Sequence, residues 1–306
     1  METILILIRQ IAQMFLLAGM GYLLLKSGKI TLEGSRALGS ILIYLALPAV
    51  IINGFLVERT PERLTGMLYS AAGAAVLLLL SILTARFFFR KDAIAAFAGA
   101  FSNPGFFGVP LIVSSLGQGA VFYVACFIAF LNIGQWTYGV SILNGQPIRQ
   151  GFQPRKLIRA PFIIAILIGL FLFFTQLRPP EVIGGCLRTV ANINTPLSMF
   201  TVGVYLAQTD VLGMFRKKRV YQVALVRLLL VPLLSMLLLS LLPEIWHDLK
   251  LALLLAAACP VGANVAVYAQ LHGRDYPYAV ETVVLSTLFS LLSIPAVVWL
   301  ASLIWH

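Results

Sequence analysis

Apolar runs of helix length follow one another along almost the whole chain, and this pattern limits the fold more than any other feature. A helix needs about 20 apolar residues to cross a bilayer. Runs of this order, separated by charged or turn-forming residues, occupy ten segments: 4–25, 37–56, 66–89, 93–116, 120–143, 157–176, 183–207, 220–242, 250–271 and 277–304. The sequence therefore predicts an all-α polytopic protein with ten transmembrane helices.

Composition supports a lipid environment and argues against other classes. Only 11% of the residues are charged and 60% are hydrophobic, whereas soluble domains carry about 25% charged residues. The net charge of +11 is dispersed over short connections, so we expect no nucleic-acid partner. Cys126, Cys186 and Cys259 lie far apart in apolar segments and predict neither a disulfide nor a metal site. Arg9 interrupts the first apolar run, so we expect the first helix to remain in the mature protein.

The basic residues predict the orientation of the chain. Numbered in order, the odd connections and their flanks hold fifteen lysines and arginines, and the even ones hold five, namely Arg59, Arg63, Arg178, Arg188 and Lys250. Connections rich in lysine and arginine remain in the cytoplasm. We therefore expect a multi-pass protein of the cell (inner) membrane with both termini outside.

The longest polar connection divides the predicted helices into two groups of five. The division gives a first repeat at 1–144, a cytoplasmic linker at 145–156 and a second repeat at 157–306. Because five is odd, the second group inserts upside down relative to the first, which is the geometry of an inverted repeat. Corresponding helices carry corresponding interruptions: Pro48 matches Pro196, and the break at 103–110 matches the break at 260–264.

The two broken segments predict a binding site. Lipid cannot satisfy the free backbone groups of a broken helix, which must face protein or a water-filled cavity. We expect Pro104 and Pro260 to stop the first half-helices, and the second halves to present positive N-terminal ends that favour an anion. The amides of Asn103 and Asn264 can donate to a carboxylate. Glycines at 105, 108 and 262 permit close backbone approach.

Several motifs together resemble the auxin efflux carrier family, which includes plant PIN-type carriers and compact bacterial carriers. The resemblance spans nearly the whole chain. It is carried by an Asn-x-x-x-x-Gly-x-Pro-Leu pattern at 103–111 and by the segments 258–269, 196–203 and 285–290, together with Pro48 and Pro295. The linker is far shorter than the long cytoplasmic loop of the plant members, so this chain is similar to the compact bacterial type.

The resemblance implies a fold in which helices 4 and 9 are unwound and cross at the membrane midplane. This architecture is shared with sodium/proton antiporters and bile-acid sodium symporters. Asn132 matches a glutamine of the substrate site in PIN-type carriers. The implied substrates are small carboxylates, auxin-like or dicarboxylate. The expected substrate-binding residues are Asn103, Pro104, Gly105, Gly108, Pro110, Asn132, Pro260, Val261, Gly262 and Asn264.

Two ionisable residues inside predicted helices are candidates for coupling or charge roles. Glu281 either couples transport to protons or pairs with a basic residue such as Arg274. Arg227 either snorkels toward the cytoplasmic basic cluster or faces the cavity and attracts the substrate. No cofactor or metal is expected. Coupling to Na⁺ or H⁺ and the formation of a homodimer are left open.

The resulting hypothesis is a secondary transporter that moves a small organic anion by alternating access, with the helix 4/9 pair moving against a scaffold of helices 1, 2, 6 and 7. The alternatives are a sodium-coupled symporter of the bile-acid type and a non-transporting ligand sensor. An intramembrane enzyme is not expected. The sequence contains no HExxH or GxSxG motif, and His247, His272 and His306 lie at helix ends.

Overall fold

The fold is an all-helical bundle. A computed structural model describes residues 2–145 and 158–305, so most of the predicted linker at 145–156 lies outside the described residues. Within these ranges, β geometry occurs only as one isolated antiparallel bridge, between Ser102 and Val261. Six of the described helices are long and apolar enough to cross a membrane. The prediction of an all-α membrane protein is therefore confirmed.

The helices are numbered here along the chain. Their bounds are α1 Glu2–Lys26, α2 Leu32–Phe55, α3 Pro61–Phe88, α4a Ala93–Ala100, α4b Pro104–Leu116, α5 Gln118–Asn144, α6 Pro161–Thr175, α7a Glu181–Asn192, α7b Asn194–Gln208, α8 Lys218–Leu239, α9a His247–Ala258, α9b Asn264–Leu271 and α10 Tyr276–Ile304. The six long apolar helices are α1, α2, α3, α5, α8 and α10, and each end lies within five residues of its predicted position.

Local sequence explains where these helices begin and where they distort. Thr60, Asp92 and Asp275 each accept a hydrogen bond from the first turn of the helix that follows, and so cap α3, α4a and α10. Short π-helical turns precede Pro48 in α2 and Pro232 in α8. A proline ring removes one backbone hydrogen bond and crowds the carbonyl four residues earlier, which widens that turn.

The helices pack as two groups. In the first group, α1 packs most extensively on α7b, and α2 packs on α6 and α7a. In the second group, α3 packs on α5 and α4a, while α10 packs on α8 and α9b. Gly203 allows the close approach of α7b to α1, since a Cβ there would lie 2.0 Å from the carbonyl oxygen of Ala18. The break regions lie where the two groups meet.

Candidate functional site

The two broken helices contact each other at their breaks. Helix α4a ends at Ala100 and α9a ends at Ala258, and a short extended segment follows each. These segments form the antiparallel bridge, in which the Gly262 amide donates to the Phe101 carbonyl at 2.9 Å. Backbone groups that lipid could not satisfy therefore find partners in protein.

The first break differs in detail from the prediction. Pro104 does not stop α4a, which ends four residues earlier, but is the first residue of α4b. Proline suits this position because the first amide of a helix has no intrahelical acceptor. Pro260 lies two residues beyond α9a, as a helix-stopping proline does.

A cavity of about 450 Å³ lies at the breaks and extends toward the first residues of α6 and the last turn of α9b. This volume is in the usual range for small-molecule sites. Six predicted site residues line the cavity: Asn103, Pro104, Gly105, Asn132, Gly262 and Asn264. The other four, Gly108, Pro110, Pro260 and Val261, do not line it. Pro110 instead lines a second cavity of about 190 Å³, which is bordered by α1, α2, α4b, the start of α5, α7a and α7b.

The electrostatics of the larger cavity favour an anion. Helices α4b and α9b both begin at its wall, and each N-terminal end carries roughly half a positive charge. Arg159 is the only charged side chain among the described lining residues. The first turn of α4b is tied to the break, because the amides of Phe107 and Gly108 both donate to the Asn103 carbonyl at 3.1 Å.

A buried glutamine, missed in the sequence analysis, joins α5 to the second break. The Gln135 side chain is fully buried, and its Oε1 atom accepts a hydrogen bond from Asn264 Nδ2 at 2.8 Å. Its Nε2 group has no hydrogen-bond partner among the described residues. The available signal was helical spacing: Gln135 lies three residues after Asn132, on the same face of α5.

Helix α7b holds the first turn of α4b from the opposite side. Asn194 Nδ2 donates to the Gly105 carbonyl at 3.1 Å, and Ser198 Oγ donates to the Phe106 carbonyl at 3.0 Å. The two backbone carbonyls belong to residues that line the larger cavity. These contacts link the predicted scaffold directly to the predicted binding site.

Arg227 takes neither of its two predicted positions. Its side chain is only 1% exposed, so it does not snorkel, and it does not line the larger cavity. Its Nη1 atom donates to Ser81 Oγ at 3.0 Å and to the Gly99 carbonyl at 3.2 Å, and its Nη2 atom donates to the Ala257 carbonyl. Arg227 therefore joins the C-terminal ends of α4a and α9a.

Glu281 forms an ion pair with a basic residue, which is one of its two predicted roles, and the partner is Lys217. Its Oε1 atom lies 2.6 Å from Nζ of Lys217, not beside Arg274. The Glu281 side chain is 7% exposed, whereas the Lys217 side chain is 51% exposed. The pair ties the segment before α8 to the second turn of α10. Among the described residues, no group of three or more His, Cys, Asp or Glu side chains could hold a metal ion.

Known proteins resemble this chain over most of its length. The profile of a family described as "Membrane transport protein" matches residues 6–151 and 149–299. The chain is also similar to a protein of Rhizobium meliloti (strain 1021) named "Putative malonate transporter". The two sequences are 28% identical over 286 residues, which cover 88% of this chain and 87% of the relative.

Proposed function

Because the chain belongs to the membrane transport protein family, the auxin efflux carriers, we propose that it is a secondary transporter of a small organic anion. The observation that carries this proposal is the cavity at the two breaks. It combines two helix N-termini, several amide side chains and one arginine, with no acidic residue among its described lining. That combination suits a carboxylate.

We propose malonate as the first substrate to test. The name of the Rhizobium relative supports this choice, and a three-carbon dicarboxylate is small enough for a cavity of about 450 Å³. One carboxylate would accept hydrogen bonds from the first turn of α4b and from Asn103. The other would lie near Arg159, toward the open end of the cavity.

We propose that the chain has ten transmembrane helices in two inverted repeats, and that the two breaks cross at the membrane midplane. The pairs α4a/α4b, α7a/α7b and α9a/α9b would each form one interrupted span, α2 and α8 would be distorted spans, and α6 would be the shortest span. With both termini outside, the larger cavity would open to the cytoplasm. Alternating access would then require α4 and α9, with α3, α5, α8 and α10, to move against α1, α2, α6 and α7.

Uptake of radiolabelled malonate into proteoliposomes tests the proposal. We expect Asn103→Ala, Pro260→Ala and Gln135→Leu each to reduce uptake at least about tenfold. The first and third variants remove a polar amide from the site, and Pro260→Ala removes the proline that ends α9a. Asn144→Ala, at the far end of α5 and away from the cavity, is the matched control. Full uptake by all three site variants would overturn the assignment of the site.

A thermal-shift measurement separates transport from sensing. Ligand binding to the folded state raises the unfolding temperature. We expect malonate to stabilise the purified wild-type protein and to be transported. Stabilisation without any flux would instead identify a sensor, and flux that requires an imposed sodium gradient would identify a sodium-coupled symporter.

A further inference from the structure

A third cavity, separate from the proposed transport site, lies at one end of the second helix group. It has a volume of about 720 Å³ and is formed by the last turns of α3, the start of α4a and the last turns of α5. Arg86, Arg90 and Lys91 line it, together with Tyr138 and a wall of apolar side chains. Three cations therefore surround one cavity.

These three cations are not neutralised by neighbouring acids. None of them forms an ion pair with an acidic side chain of the described residues. The nearest acid in sequence, Asp92, is engaged elsewhere: Oδ1 accepts from the Ala95 amide at 3.0 Å, and Oδ2 accepts from the Tyr278 hydroxyl at 3.2 Å. The described lining of the cavity thus contains three cations and no acidic side chain.

The cavity lies at headgroup depth and borders a lipid-facing surface. Helix α3 has 28 residues and is therefore about 42 Å long, close to the roughly 40–45 Å of a bilayer with its headgroups. Its C-terminal end, next to the three cations, then lies at a membrane surface. Leu83 and Phe87 line the cavity and are 56% and 68% exposed, and the Arg90 guanidinium lies 6.0 Å from the Phe87 ring centre.

We propose that this cavity binds the phosphate headgroup of an anionic phospholipid. The three cations would hold the phosphate, and the exposed apolar side chains beside them would contact the acyl chains. Basic pockets between transmembrane helices are a known mode of headgroup recognition. A free phosphate ion offers the same charge but gains nothing from the apolar wall, and this difference favours the lipid.

The test measures lipid binding to the delipidated full-length protein by native mass spectrometry. The probes are phosphatidylglycerol, phosphatidylcholine and inorganic phosphate. We expect the wild-type protein to bind phosphatidylglycerol most tightly. The triple variant R86Q/R90Q/K91Q should bind it about 100-fold more weakly, because each of the three basic groups contributes about fivefold in affinity near a membrane surface.

A matched control removes the same charge from another connection. Arg216, Lys218 and Arg219 are exposed and line none of the three cavities, so R216Q/K218Q/R219Q should bind phosphatidylglycerol like the wild type. R86K/R90K keeps the charge and should retain most of the affinity for phosphatidylglycerol. This result would show that the loss in the triple variant comes from the lost charge and not from misfolding. Equal losses in both triple variants, equal binding of phosphatidylcholine, or inorganic phosphate that competes fully with the lipid would each overturn the proposal.

Discussion

At the residue scale, Arg227 is a buried cation that forms no ion pair with an acidic side chain of the described residues. Its hydrogen bonds go to carbonyls in the last turns of α4a and α9a. Each helix C-terminus carries roughly half a negative charge, so the two ends together balance about one guanidinium. The residue thus joins the two half-helices electrostatically and by hydrogen bonds, while the proposed substrate would face their counterparts α4b and α9b.

We expect Arg227→Gln to destabilise the protein by about 3 kcal/mol or more. Each buried acceptor left without a donor costs about 1–3 kcal/mol. The carbonyls of Gly99 and Ala257 receive bonds from Arg227, whereas the Ala100 carbonyl would keep its bond from Ser81 Oγ. Chemical denaturation in detergent measures the loss. Arg227→Lys should be intermediate, since a single ammonium cannot span both helix ends. The exposed Arg216→Gln serves as control, and unchanged stability of Arg227→Gln would contradict this role.

At the element scale, the two breaks depend on backbone contact that only a residue without a side chain permits. A Cβ atom at Gly262 would lie 2.8 Å from the Ser102 carbonyl oxygen and 3.3 Å from that of Phe101. Carbonyls of the opposite break cannot move away as a flexible side chain would. The glycine is therefore needed for the bridge between the two breaks, apart from any contact with substrate.

We expect Gly262→Ala to destabilise the protein by about 1–3 kcal/mol, the usual cost of overpacking, and to weaken malonate binding. Thermal unfolding with and without malonate measures both effects. Gly19→Ala in α1 is the matched control, because a Cβ there meets nothing within 4 Å. Wild-type stability and binding in Gly262→Ala would show that the bridge is not needed.

At the scale of the whole molecule, the packing of the helices into two groups predicts that the groups move against each other as rigid bodies. Gly54 in α2 and Val121 in α5 belong to different groups, and a Cβ at Gly54 would lie 3.0 Å from the Val121 Cβ. Gly99 in α4a and Ala85 in α3 belong to the same group, with a corresponding distance of 3.1 Å. Both spacings are slightly shorter than those of disulfides, so each pair is suited to cross-linking after a small shift.

We expect oxidation of G54C/V121C, in a background without native cysteines, to stop malonate flux but not malonate binding. The cross-link would hold the two groups together, and reduction should restore flux. The pair A85C/G99C, cross-linked within one group, should transport whether oxidised or reduced. Normal flux through fully oxidised G54C/V121C would contradict movement between these groups.

Much of the site could be predicted from the sequence, because it depends on local backbone chemistry. Prolines and glycines inside apolar runs are visible without any structure, and they located both breaks. Five of the residues that line the cavity at the breaks belong to these two segments, and a sixth, Asn132, was expected from the family resemblance. The helix bounds followed from the same apolar runs. By contrast, the end of α4a was predicted wrongly. A proline can follow the end of one helix or begin the next, and the sequence does not show which of these positions Pro104 takes.

The sequence by itself determined that the chain enters a membrane and where its helices are interrupted. Only long apolar segments are stable in the hydrocarbon of a bilayer, and prolines and glycines inside such a segment interrupt a helix. Only the tertiary structure decided which side chains meet across helices. Gln135 contacts Asn264, Lys217 pairs with Glu281, and Arg227 joins two helix ends. These partners lie far apart along the chain, and the packing of whole helices, which no local pattern records, brings them together.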